Sequence, residues 1–322
     1  MTVVVTGAAG FIGYHVARRL AGRGARVVGV DNLNDFYDTE LKRRRLAELA
    51  GLPGFQFRRV ELSDRRALAD ALAGERVRRV IHLAAQANVR YGLENPHAYV
   101  ESNVAGHLNV LEFCRHADGL ESLVYASSSS VYGGGSKIPF REDGVTDRPN
   151  SLYAATKKSQ EMMSAVYADI FGIPQTGLRF FSVYGPWGRP DMAYWLFTDA
   201  ILKGRPVRLF NRGDMSRDFT YIDDVVTGVI AASDAAGEKP GHRIYNIGNS
   251  RPVVLLDMVR ILERLLGEEA RLELLPPQPG EVPATYADIS AIEAALGFRP
   301  ATSLEEGLHH FVDWFRAYHG LG

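Results

Sequence analysis

Tyr153 and Lys157 stand four residues apart in Tyr153-Ala154-Ala155-Thr156-Lys157, so on a helix they share one face. A free tyrosine hydroxyl titrates near ~10, which makes it a poor base at neutral pH. Half-ionising it at pH 7 requires a downshift of roughly 3 units, or about 4 kcal/mol. An ammonium ~4 Å away, at an effective dielectric of ~20, supplies about that much. The pair reads as a general base that takes a proton from a substrate hydroxyl while hydride leaves the same carbon. Such chemistry needs a hydride acceptor and a scaffold that holds it against the phenol.

The elements that would do this come first in the chain. Residues 2–6 are a β-branched run, followed by Gly7-Ala8-Ala9-Gly10-Phe11-Ile12-Gly13 and then the helical pattern Val16, Ala17, Leu20. Strand, glycine turn and helix in that order make a phosphate cradle. The glycines let the backbone approach a pyrophosphate, and the helix N-terminus offers free N–H groups. The spacing is Gly-x-x-Gly-x-x-Gly, not the commoner Gly-x-Gly-x-x-Gly. Residues 26–30 form the second strand and end on Asp31, where an acid accepts hydrogen bonds from an adenosine ribose and repels a 2′-phosphate. That favours NAD over NADP. The basic run Lys42-Arg43-Arg44-Arg45 is read as a solvated helix face, because Leu41, Leu46 and Leu49 thread through it.

Residues 56–62 and 79–84 read as further strands, with a helix over 65–73 between them. Glu61-Leu62 closes the third strand, where a carboxylate could meet an adenine amino group. Leu83-Ala84-Ala85-Gln86 closes the fourth with mostly small residues, as a backbone lying against a cofactor requires. Residues 97–117 read as one long helix carrying Asn103, with Pro96 near its start. A fifth strand over 122–126 leads into Ser127-Ser128-Ser129-Ser130-Val131-Tyr132-Gly133. Hydroxyls at that end of a strand lie where an open α/β sheet binds its ligand. The alternation of strands and helices predicts an α/β fold with a doubly wound, Rossmann-like parallel sheet.

With 322 residues, 46% of them hydrophobic, the chain can bury a large core and a second lobe. A net charge of -1 gives no field that calls for nucleic acid. Cys114 is the single cysteine, which excludes an internal disulfide and fits a reducing compartment. No apolar run approaches ~18 residues, and Met1 leads straight into Val3-Val4-Val5. A cytoplasmic protein with no membrane span is expected. The histidines show no metal-ligand spacing, so no metal site is expected.

The glycine turn, Asp31, the serine strand end and Tyr153-x-x-x-Lys157 together resemble the extended short-chain dehydrogenase/reductase family, over the whole length. Within it the likeness runs to the group of UDP-glucuronate 4-epimerases. The stretches that carry it are Asp31-Asn32-Leu33-Asn34-Asp35-Phe36-Tyr37, Ala84-Ala85-Gln86-Ala87-Asn88-Val89-Arg90-Tyr91, Arg179-Phe180-Phe181-Ser182-Val183-Tyr184-Gly185-Pro186-Trp187-Gly188-Arg189-Pro190-Asp191-Met192 and Gly213-Asp214-Met215-Ser216-Arg217-Asp218-Phe219-Thr220-Tyr221-Ile222-Asp223-Asp224. The resemblance implies Ser128 and Tyr153 in catalysis and Lys157 on the nicotinamide ribose. It implies a cofactor site of Gly7, Ala9, Gly10, Phe11, Ile12, Gly13, Asp31, Asn32, Asn34, Glu61, Leu62, Leu83, Ala84, Ala85, Gln86, Asn103, Ser127 and Phe180, besides Tyr153 and Lys157. Ser128, Ser129, Ser130, Tyr153 and Ser182 would line the sugar pocket. Arg217 would bind the diphosphate, with Arg189, Asn211, Gln278 and Glu281 near the nucleotide. Glu61 stands where the group usually has aspartate. Gln278 stands where hexose-type epimerases place a second phosphate arginine, so charge neutralisation falls to another group such as Arg189.

The implied substrates are UDP-glucuronate and UDP-galacturonate, the implied cofactor NAD, and the implied assembly a homodimer formed by the helices over 97–117 and 153–171. Related dehydratases carry an Asp-Glu pair just before Val-Tyr-Gly, and related decarboxylases a glutamate. Here those places hold Ser128, Ser129 and Ser130. Oxidising C4 of glucuronate gives a ketone β to the C5 carboxylate, which loses CO₂ readily when the breaking bond aligns with the carbonyl π system. Neutral hydroxyl donors can pin the carboxylate out of alignment by hydrogen bonds of roughly 1.5–3 kcal/mol each. The decarboxylase, another UDP-hexose 4-epimerase, or a non-catalytic NAD-sensing protein on the same scaffold are the competing readings.

Beyond residue 178 a strand over 179–183 is expected in the main sheet, then a helix over 194–202 and an extended segment over 207–210. A helix over 223–232 and a strand over 243–247 should return to the main domain. Helices over 255–266 and 304–318 follow, the second packing Trp314 and Phe315 into the core. Residues 276–280 should loop over the nucleotide. The implied division is 1–178 plus roughly 215–249 for NAD, and 179–214 plus 250–322 for a smaller mixed α/β lobe that holds the UDP-sugar.

Overall fold

Residues 1–235, 241–277 and 282–321 are described in a computed structural model of the chain. Strand β1 (Thr2–Thr6) is buried throughout, its β-branched side chains fitting a pleat covered on both faces. The chain continues through α1 (Phe11–Gly22), β2 (Arg26–Asp31), α2 (Thr39–Ala50), β3 (Phe55–Arg59), α3 (Arg65–Ala71) and β4 (Val77–His82). Next come two short helical turns, α4 (Tyr91–Glu94) and α5 (Pro96–Tyr99), a π-type segment at Val100–Ala105, and α6 (Gly106–His116). Strand β5 (Ser122–Ser128) ends in a tight turn at Ser129–Tyr132, and α7 (Leu152–Phe171) leads to β6 (Gln175–Phe180). The rest is β7 (Ser182–Tyr184), α8 (Ala193–Leu202), β8 (Val207–Leu209), β9 (Ser216–Tyr221), α9 (Ile222–Ala235), β10 (His242–Ile247), β11 (Pro252–Val254), α10 (Leu255–Leu266), β12 (Leu272–Leu274), α11 (Ser290–Leu296) and α12 (Leu304–His319).

Seven parallel strands form the main sheet in the order β10-β6-β5-β4-β1-β2-β3. The order reverses between β1 and β4, and an open sheet of this kind leaves a crevice beyond the carboxyl ends of those strands. Register decides what meets there. Thr6 lies opposite Val30 on one side and His82 on the other, and Ser128 lies opposite Phe180. The glycine turn, Asp31, Leu83 and the serines therefore leave the sheet along one edge.

Alternation along β1 feeds two cores. Val3 and Val5 join the cluster under α1 and α9, and Val4 joins the cluster under α3 and α6. The first cluster runs on without a break into Tyr194, Trp195, Leu262 and Phe311 of the carboxyl-terminal elements. The two halves of the chain thus share one apolar interior.

Four expectations change. Residues 179–183 are not one strand: β6 ends at Phe180 in the main sheet, and Ser182 opens β7, which pairs with β9 and β11 in a three-stranded sheet. Strand β9, grouped above with the cofactor half, is hydrogen-bonded into that smaller sheet. The helix over 97–117 is interrupted by the π segment, whose wider turn points Asn103 inward. The fourth change concerns α2. Leu41, Lys42, Arg45 and Leu49 share its inner face at helical spacing, so Lys42 and Arg45 are buried and not solvated.

Candidate active site

The glycine turn fixes the first wall. Gly7 has φ +71, and a Cβ there would stand 2.7 Å from the backbone nitrogen of Ala84, so β1 and β4 close up only over glycine. At Gly13 a Cβ would lie 2.0 Å from the carbonyl oxygen of Gly7, which keeps α1 tight against the turn. Helix α1 starts at Gly10 with no side-chain cap, leaving first-turn N–H groups for an anion. Asp31 accepts the amides of Ala9 at 3.1 Å and Leu33 at 2.8 Å. Burial raises its pKa, against those two donors and the nearby Lys42 charge. Lys42 donates to the carbonyl and side-chain oxygens of Asn34 at 2.6 and 2.7 Å. This cradle fits the diphosphate and ribose of a dinucleotide.

One cavity runs along this edge. Gly7, Gly10, Phe11, Ile12, Gly13, Asp31, Asn32, Asn34, Glu61, Leu62, Leu83, Ala84, Ala85, Gln86, Ser127, Tyr153, Lys157 and Phe180 all line it. Ala9 and Asn103 stand behind the wall. Ala9 gives its amide to Asp31, and Asn103 holds the backbone of Gln86 and the hydroxyl of Thr156. Asn32 donates to one oxygen of Glu61 at 2.7 Å, and the amide and hydroxyl of Ser63 to the other at 3.2 Å, so both are engaged within the chain.

Helix α7 is capped by Ser151, whose hydroxyl accepts the amide of Ala154, and it presents Tyr153 and Lys157 to the same cavity. Their geometry differs from the direct ammonium–phenol contact expected above. Lys157 Nζ is 6.0 Å from the Tyr153 ring centroid and donates to the carbonyl of Ala126 at 2.8 Å and to Gln160 Oε1 at 3.0 Å. Burial pushes the Lys157 pKa down to about 7. Burial also raises that of Tyr153, and the groups that work against the rise are the Ser128 hydrogen bond and the Arg189 charge. Ser128, Tyr153 and Lys157 line the same cavity, and Lys157 has no part in the shift of the phenol. Beneath the serines, Glu161 binds Arg179 in a buried two-pronged ion pair at 2.8 and 2.9 Å and accepts the Ser127 hydroxyl at 2.6 Å. Burial opposes ionisation of Glu161, but Arg179 outweighs it and holds the carboxyl below its usual range.

A second cavity opens from the first, and Ser128, Tyr153, Phe180 and Arg189 belong to both. Ser129, Ser130, Ser182 and Arg217 line it, with Asn88, Arg90, Asn150, Phe210 and Thr285. Asp191 is the one carboxylate on its wall among the described residues, and it is fully engaged. Arg189 grips it at 3.0 and 2.5 Å, and Asn88 donates to it at 3.0 Å. The Asn211 side chain turns back to the carbonyl of Asp214 at 2.6 Å and is not on the wall. Gln278, Glu281 and most of the expected 276–280 loop lie outside the described residues. Sequence reading passed over Glu161 and Asn88. The signal for Glu161 was its place four residues beyond Lys157 on α7, one turn further along the same face.

Among the described residues no helix is long and apolar enough to cross a membrane. No group of three or more His, Cys, Asp or Glu side chains there could hold a metal ion. A doubly wound sheet, a glycine cradle at its switch point and a serine–tyrosine–lysine set facing a joined cavity define an enzyme that oxidises or reduces with a dinucleotide. The chain belongs to the NAD dependent epimerase/dehydratase family, whose model matches residues 3–248. UDP-glucuronate 4-epimerase 4 of Arabidopsis thaliana is 49% identical to it over 333 residues, covering 99% of this chain and 76% of the relative. The UDP-glucuronic acid 4-epimerase of Bacillus cereus, solved with UDP-glucuronic acid and NAD, superposes with a TM-score of 0.91 at 35% identity, over 99% of this chain and 100% of that one. The UDP-glucose 4-epimerase of Thermotoga maritima, solved with UDP-glucose, gives 0.89 at 31% identity, over 99% and 100%.

Proposed function

We propose that the chain is an NAD-dependent UDP-glucuronate 4-epimerase that interconverts UDP-glucuronate and UDP-galacturonate. The observation that carries this reading is the wall of neutral hydroxyls, Ser128, Ser129, Ser130 and Ser182, around a cavity whose one described carboxylate is tied up by Arg189 and Asn88. Elimination of water needs a free acid, and this wall offers none among the described residues. NAD supplies the hydride acceptor and, when oxidised, a positive charge. The first cavity would hold it: the glycine turn at the diphosphate, Asp31 at the ribose, and Lys157 and Phe180 toward the nicotinamide end.

Tyr153 takes the proton of the sugar C4 hydroxyl as hydride leaves C4, and Ser128 hydrogen-bonds the same oxygen. The 4-keto sugar turns over, hydride returns to its other face, and Tyr153 gives the proton back. No net redox change follows, so one bound cofactor serves every cycle. Ser129, Ser130 and Ser182 hold the C5 carboxylate out of line with the carbonyl and keep CO₂ in place. Arg217 and Arg189 offset the charge of the UDP diphosphate. We assign residues 1–178 and 222–249 chiefly to the cofactor, and 179–221 and 250–322, with β9 and its Arg217, chiefly to the sugar nucleotide.

The reading includes a homodimer. Met162, Val166 and Ile170 repeat every four residues on the outer face of α7, each more than half exposed, and Leu108 of α6 is exposed as well. A second copy would cover that stripe. The reading also places the enzyme in the cytoplasm, in keeping with one thiol, Cys114, that is buried and unpaired.

Purified chain incubated with UDP-glucuronate and no added cofactor should yield UDP-galacturonate, read by chromatography. UDP-pentose as the main product would make it a decarboxylase, and conversion of UDP-glucose alone a hexose epimerase.

A further inference from the structure

The loop that carries Arg189 is held from behind, and the holding groups lie in the amino-terminal half of the chain. Its backbone is restrained to a degree that needs a cause. Trp187 has φ +59, an uncommon conformation for a bulky residue, and such strain persists only where the surroundings over-determine it. Gly188 has no room for a side chain, since a Cβ would lie 1.9 Å from the Tyr194 hydroxyl. Three successive carbonyls of this loop are taken up by two buried donors, one a neutral imidazole and one a guanidinium. His15 of α1 stands 2.9 Å by Nε2 from the carbonyl of Pro186. A carbonyl only accepts, so Nε2 carries the proton and donates. Arg45 of α2 donates to Trp187 O through Nε at 3.1 Å and Nη2 at 2.5 Å, and to Gly188 O through Nη2 at 2.8 Å.

The same guanidinium reaches the cofactor cradle. Its Nη1 donates to the carbonyl of Ala9 at 2.9 Å and to the hydroxyl of Tyr37 at 2.7 Å. Arg45 is wholly buried, and these acceptors are all neutral. Burying a charge is costly unless every donor is satisfied, so a leucine would fill this space more cheaply if packing were the only demand. What leucine could not do is bridge Ala9 in the glycine turn to Trp187 and Gly188. The next residue after that bridge, Arg189, lines both cavities and is locked to Asp191, which Asn88 also holds.

We propose that His15 and Arg45 are positioning residues that strap loop 186–188 to the glycine turn and thereby set Arg189 between cofactor and sugar. Neither touches the reacting atoms. A displacement of about 1 Å at a reacting centre costs on the order of 100-fold in rate, so loosening the strap should act on turnover. The activity arm of the test rests on the epimerase reading, and the exchange arm does not.

The test compares Arg45→Lys and His15→Phe with the wild-type chain. Lysine keeps the cation but cannot span three carbonyls. Phenylalanine keeps the ring packing of His15 on Phe11 and Tyr14 and removes the donor. Amide hydrogen exchange across 186–192 should run about 10-fold faster in both, with β1 unchanged, because only a local opening has become easier. With UDP-glucuronate, kcat should fall about 10- to 100-fold while bound NAD per chain stays as in the wild type. Unchanged exchange in the loop, or equal acceleration in β1, overturns the strap. A loosened loop with undiminished kcat overturns its role in positioning. If the wild-type chain does not convert UDP-glucuronate, the epimerase reading fails and the exchange comparison still decides the strap.

Discussion

At the scale of single residues the site turns on what surrounds the Tyr153 phenol. Spacing alone suggested that Lys157 lowers its pKa by direct contact. In the folded chain burial raises it, and the groups that work against the rise are Ser128 and the Arg189 charge. Lys157 sits on the carbonyl of Ala126, where burial brings it down to about 7. A phenol raised by burial is a weak base until more positive charge arrives, and under the proposed function oxidised NAD brings it. Tyr153→Phe should fold, retain NAD and lose about 10²–10⁴-fold in kcat, the range for a single general base. Retained turnover would mean that another group takes the C4 proton.

Under the proposed function, the element that decides the outcome of the reaction is the turn Ser129–Tyr132 at the end of β5. Ser128 caps it by accepting the amide of Ser130 at 3.1 Å, and this geometry turns three hydroxyls toward one cavity. Under it, the Glu161–Arg179 pair holds Ser127 in place, and Arg179 also reaches the Tyr132 hydroxyl at 3.0 Å. The turn thus rests on a buried, satisfied network, which favours one arrangement over many. Removing one carboxylate restraint should free the 4-keto acid to align and lose CO₂. Ser129→Ala and Ser130→Ala should each release more CO₂ and more UDP-pentose per turnover than the wild-type chain. Loss of activity without pentose in both variants would sink the restraining role.

For the molecule as a whole, buried histidines tie stability to pH. Burial holds His15 and His82 down to about 3, and pushes His107 well below its ordinary value. In the unfolded chain they titrate near ~6.5. Their folded pKa values lie below the unfolded ones, so the stabilising contribution is complete above ~6.5 and is lost as pH falls toward the folded values. Each should remove about 1.4 kcal/mol per pH unit in that window. Urea midpoints measured from pH 7 down to 5 should fall steeply, and His15→Phe should make that slope shallower. An unchanged slope in the variant would mean that His15 is not buried in its neutral form.

The sequence by itself determined whatever depends on local rules. The β-branched run before Gly7, the acid at the end of β2 and the hydroxyls at the end of β5 fixed a parallel doubly wound sheet with its ligand edge, because periodicity and turn chemistry act over a few residues. Much of the cofactor wall was legible for the same reason, since it consists of consecutive strand ends. What only the tertiary structure decided involves partners far apart in the chain. Arg45 reads as one more surface arginine until Trp187, 142 positions away, supplies the carbonyl that it binds. Asp191 reads as a free acid until Asn88 and Arg189 close on it. Residues 179–183 read as one strand because nothing local marks where Ser182 leaves the main sheet for β9. A buried charge takes its role from the groups that solvate it, and those groups become neighbours only when the chain has folded.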